Sequence, residues 1–127
     1  MKDRAKELKA QASGSEGEAD VLAKIDQMPG EDKALATCLH QLVHEVAPGL
    51  VPRTWYGMPA YATSGRSGKV VCFFQSAKKM KTRYNTVGFS DAASLDDGSM
   101  WPTSFSLLRW DSTVEKKLRA LVKKAVA

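Results

Sequence analysis

A chain of 127 residues with 43% hydrophobic and 26% charged residues has the balance of one globular domain with a core of its own. No apolar run nears the ~20 residues that a membrane helix needs, and the charged first twenty residues read as neither a secretory signal nor a transit peptide. The net charge of +5 is uneven, −3 over residues 1–47 and +8 over 48–127, which suits an anionic ligand or acidic partner, or a solvated basic surface.

Residues 1–14 read as a flexible tail and 15–127 as a single domain. Ser13-Gly14-Ser15-Glu16-Gly17 has linker composition, and Ser15 with Glu18 fits a capping box. Val21, Leu22, Ile25 and Met28 follow at helical spacing until Pro29-Gly30. A second helix begins near Glu31, with Glu31 and Asp32 at the positive end of its dipole. Its apolar stripe is Leu35, Cys38, Leu39, Leu42 and Val46. His40 and His44 fall on the opposite face, where they read as solvated. Four residues apart, they could grip one metal ion, but no third ligand stands near them at recognisable spacing. Cys38 and Cys72, widely separated, read as reduced core residues, with the cytoplasm as the location.

After Pro48-Gly49 the period changes. Leu50 to Thr54 reads as a lead-in to Trp55-Tyr56-Gly57-Met58-Pro59-Ala60-Tyr61, in which Pro59 and Gly57 point to a kinked entry into a strand over 58–63. Ser64 to Gly68 is a hairpin turn. Lys69 to Gln75, apolar at nearly every position, predicts a central strand covered on both faces. A basic connection at 76–81, a strand over 82–89, an acidic loop or short helix at 90–98 and a last strand over 105–110 follow. Ser112-Thr113-Val114-Glu115 predicts a capping box for a final helix, with Val114, Leu118, Leu121, Val122 and Ala125 as its apolar stripe. The fold class is therefore α+β: a curved, mainly antiparallel four-stranded sheet with two N-terminal helices and one C-terminal helix packed on it.

WYGMPAY at 55–61, KVVCFF at 69–74 and KTRYNTVGF at 81–89 carry a family likeness over roughly residues 18–126. In these stretches the chain resembles the YdhG-like family, small domains of unknown function grouped with frataxin-like proteins. The resemblance implies a curved antiparallel sheet backed by helices, and it offers iron chaperoning through helix acids as a role. The acids for that role would be Glu16, Glu18, Asp20, Asp26, Glu31 and Asp32. They are spread over a linker and two helix starts, whereas a hard cation wants converging oxygens.

The chemistry-bearing sets are then few. Trp55, Tyr56, Tyr61, Arg83, Tyr84 and Trp101 form a candidate ligand-binding face, aromatic rings beside a guanidinium able to hold a carboxylate or phosphate. Asp91, Asp96 and Asp97 are the candidate metal cluster, which as an acidic loop before a glycine also reads as a solvated turn. Lys78, Lys79, Lys81 and Arg83 beside Tyr84 offer a weak track for single-stranded nucleic acid. No H-E-x-x-H, phosphate loop or dinucleotide fingerprint occurs, and no catalytic residue stands out. The sequence reads as a non-enzymatic binding or carrier domain with no resident cofactor. Its partner would be a small anion or a protein, with no membrane, as a monomer or homodimer; the alternatives are the iron chaperone and the nucleic-acid binder.

Overall fold

The computed structural model describes residues 14–64 and 68–127, with side chains from Gly17 onward. The predicted tail up to residue 13, the Glu16 side chain and the tip of the predicted 64–68 turn lie outside the described residues. Helices α1 (Gly14–Asp26) and α2 (Gly30–Val46) lead into strands β1 (Val51–Trp55), β2 (Met58–Ala62) and β3 (Val70–Gln75). A short helix α3 (Ala77–Met80) precedes β4 (Asn85–Phe89) and β5 (Ser104–Leu107), and α4 (Ser112–Ala125) follows. The class is α+β, and the sheet is an open antiparallel meander in the order β1-β2-β3-β4-β5.

The sheet has five strands where the sequence predicts four. The extra strand is β1, in the stretch read as a lead-in because Pro48, Gly49 and Pro52 punctuate it. An edge strand needs ladder hydrogen bonds on one side only, so Pro52 is tolerated there. Trp55 pairs with Met58 across a two-residue turn in which Tyr56 and Gly57 both have positive φ, 50° and 76°. That mirror-image turn matches the twist of a hairpin, and glycine is the residue that enters it without strain. Pro59 precedes the β2–β3 ladder, which begins at Ala60 opposite Phe73, so its missing N–H costs no bond there. The fourth described helix, α3, replaces the predicted basic connection and is capped by Ser76, whose side chain accepts from Lys79 N.

One face of the sheet carries the main core. Tyr61, Cys72, Phe74, Val87, Phe89 and Leu107 pack with Val21 and Ile25 of α1, Leu35, Leu39 and Leu42 of α2, and Leu118 and Val122 of α4. β3 is central, as its apolar run predicts, and the opposite face holds Ala60, Ala62 and Val70 under Trp55 and Phe73. A bulge in β3 adds one residue to the main-core side. Tyr61 pairs with Cys72 but Ala62 with Val70, so Val71 is the extra residue and turns into the main core.

Both predicted capping boxes are displaced. Ser15 lies inside α1, and Asp111, not Ser112, caps α4 by accepting from Val114 N at 2.8 Å. Leu22, predicted in the α1 stripe, is exposed. The last strand is shorter than predicted, and the 90–98 loop is no helix. It is anchored by buried Ala93 and Leu95 and by a bond from Ser94 N to Ala125 O.

Candidate metal centre

Helix α2 buries more than one stripe. Leu35, Leu39 and Leu42 face the core, but Asp32, Ala36 and His40 are also buried, because α1 and the sheet cover a second side. His40 is 6% exposed, which corrects the solvated reading of this histidine; His44, one turn on, does remain exposed. Glu18 stands one turn before Val21 and two before Ile25 on the inward face of α1. That places its carboxylate against α2.

Glu18 Oε1 lies 2.7 Å from His44 Nε2 and 3.3 Å from His40 Nε2. The ring centroids of the histidines are 4.8 Å apart, edge to face. On its other side, His40 Nδ1 is 2.9 Å from the hydroxyl of Tyr61, which is 1% exposed at the centre of β2. Chemistry assigns the protons. An ionised carboxylate only accepts, so Nε2–H of each ring donates to Glu18, and neutral His40 then accepts at Nδ1 from the Tyr61 O–H.

The charges follow from these contacts. The hydrogen bond from His44 is the main cause that holds the Glu18 carboxyl below its ordinary value, opposed by partial desolvation and helped by His40. Burial pushes the His40 imidazole down, against the pull of Glu18. Burial also pushes the Tyr61 phenol well up, so it remains a neutral hydroxyl.

Two imidazole nitrogens and one carboxylate oxygen within 4.8 Å of one another form, among the described residues, the one group of three or more His, Cys, Asp or Glu able to share an ion. Tetrahedral ligands about 2.0–2.2 Å from zinc lie about 3.3–3.6 Å apart, and the Glu18 oxygen lies 3.3 Å and 2.7 Å from the two Nε2 atoms. The donors suit late first-row divalent ions, and Mg²⁺ or Ca²⁺ would find too few oxygens. An ion here would replace the two Nε2 protons. His40 would then carry its proton on Nδ1 and donate to Tyr61, whose hydroxyl accepts as readily as it donates, so the supporting contact survives both states.

The third ligand was hidden from the sequence. Glu18 lies 22 residues before His40 and already had a capping role to explain it. The usable signal was an acid in register with Val21 and Ile25 on a neighbouring helix.

The predicted binding face does not gather. Tyr61 is inside the core, and Trp101 packs against the main core near Phe89, at the opposite end of β4 from Tyr84. Trp55 and Tyr56 stay together at 5.0 Å, with Trp55 also on Phe73 and Tyr56 71% exposed. Arg83 lies 5.3 Å from the Tyr84 ring. Asp91, Asp96 and Asp97 are exposed and form no such group of three. Among the described residues, the helix acids of the iron-chaperone reading form no group of three: Asp26 pairs with Lys33 at 2.7 Å, and Asp32 is buried on Ser76 at 2.5 Å.

Comparisons with family models, curated proteins and solved structures returned no match. The family likeness therefore rests on the quoted stretches alone. No described helix is long and apolar enough to cross a membrane.

Proposed function

We propose that the chain is a non-enzymatic carrier for a late first-row divalent metal ion, held by Glu18, His40 and His44. The observation that carries this reading is the convergence of two imidazole nitrogens on one carboxylate oxygen, with Tyr61 fixing the inner ring. Three protein ligands leave coordination positions open, and Glu18 and His44 are 39% and 46% exposed, so the ion exchanges with solvent or a recipient. Three clefts of about 670, 430 and 540 Å³ are lined by other residues. Fe(II) is within the donor preference, so the iron-handling alternative carries over with a nitrogen-rich site in place of an acid patch.

The test is thermal melting of the full chain with Zn²⁺, Co²⁺ and, anaerobically, Fe²⁺. An ion that binds the folded state at a hundred times its Kd adds about 2.7 kcal/mol. The melting temperature should rise for the wild type and not for Glu18→Gln or His44→Ala. An equal rise in all three proteins would sink the reading.

A further inference from the structure

The basic half of the chain leaves a second feature that the metal centre does not use. Lys24 of α1 and Lys78 and Lys79 of α3 line one cleft of about 430 Å³, together with Met28, Pro29 and Gly57. Among the described residues, no carboxylate lines it. Asp32 is buried beneath α3, with its Oδ2 accepting from Ser76 Oγ at 2.5 Å and from Lys78 N at 3.3 Å. Neither Lys24 nor Lys78 has an acidic partner among the described residues. Lys79 Nζ donates to Gly57 O at 3.2 Å, which fixes one ammonium where α3 meets the β1–β2 turn.

Three lysines line one cleft, and a dianion held among them would gain charge-assisted hydrogen bonds and favourable Coulomb energy. Three lysines on two helices make a compact point of positive charge, unlike the extended track that a nucleic-acid strand needs. The volume falls in the ~300–1,000 Å³ range of small-ligand sites. Met28 and Pro29 give the cleft an apolar wall for an organic portion. We propose that this cleft binds the phosphate of a small phosphorylated ligand of about nucleotide size. The proposal is independent of the metal centre, since it shares no residue with it.

Calorimetric titration of the full chain at low ionic strength tests it. The probes are pyrophosphate, adenosine 5′-monophosphate and a fifteen-residue oligothymidylate. EDTA is present throughout, so that an ion on the histidines contributes nothing. Saturable one-to-one binding of pyrophosphate or the nucleotide is expected, about tenfold weaker in Lys24→Gln and in Lys78→Gln. Lys116→Gln, at an exposed position of α4, should bind as the wild type does. Thermal melts of each variant verify that it is folded. No saturable binding by the wild type, or equal weakening in Lys116→Gln, would overturn the proposal. So would oligothymidylate binding tighter than the nucleotide and indifferent to Lys24 and Lys78, which would make the basic surface a nucleic-acid track.

Discussion

His40 Nδ1 and the Tyr61 hydroxyl meet at 2.9 Å, joining the middle of α2 to the middle of β2 inside the main core. The contact ties the fold to the candidate metal centre, because the same imidazole turns its other nitrogen towards Glu18. Tyr61→Phe keeps the ring and deletes the hydroxyl, leaving a buried nitrogen without its partner. It should destabilise the domain by about 1–3 kcal/mol in urea unfolding. It should also weaken metal binding by about tenfold to a hundredfold, as loss of a supporting partner commonly does. A variant as stable as the wild type and with the same metal affinity would remove Tyr61 from the site.

Acid should destabilise the metal-free protein. The folded-state pKa of Glu18 is lowered, chiefly by the hydrogen bond from His44, and that of His40 is lowered, chiefly by burial. In both cases the unfolded chain takes up the proton first as pH falls. The stability each contributes is complete above its unfolded pKa and is lost as pH drops through the folded one. The His40 contribution therefore fades below about pH 6.5 and the Glu18 contribution below about pH 4.5. Melting temperatures measured from pH 8 to 4 should fall in both windows, and His40→Gln should flatten the upper one. An unchanged melting temperature between pH 7 and 5 contradicts this.

Asp32 works at a distance of 44 residues, linking the first turn of α2 to the cap of α3. With Asp32→Ala, the buried Ser76 hydroxyl loses its acceptor, and Lys78 N loses one as well. The expected cost is about 2 kcal/mol, and Asp32→Asn, which keeps an acceptor oxygen, should recover part of it. The same loss in both variants would show that the charge, not the hydrogen bond, matters.

Much of the architecture is legible in the residues, and much of the site is not. The apolar run of β3 and the Leu118-Val122-Ala125 stripe of α4 each point one way, because local pattern and tertiary burial agree there. β1 escapes because Pro52 argues against a strand unless its place at the sheet edge is known. His40 escapes because α2 is covered on two sides, and a single stripe cannot reveal the second. Glu18 escapes because a carboxylate near a helix start already has a local explanation. The dispersal of Trp55, Tyr61 and Trp101 has the same origin: sequence proximity and aromatic character do not say which face of a sheet a ring takes.

The outer face of the sheet offers a test of the register. Gly88 of β4 stands opposite Phe73 of β3, and the Phe73 ring lies over the space that a β-carbon at 88 would fill. Gly88→Val should push the ring off the sheet and cost about 1–3 kcal/mol by overpacking. Its partner Phe73→Ala should relieve part of that cost, which a double-mutant cycle measures. Strict additivity would contradict the contact.

The most direct measurement for the metal centre is the visible absorption of the full chain titrated with Co²⁺. Ligand-field bands of a nitrogen–oxygen site should saturate at one equivalent and disappear in Glu18→Gln and in His44→Ala. Bands absent at micromolar protein, or unchanged in both variants, would mean that Glu18, His40 and His44 are only a hydrogen-bonded cluster between two helices.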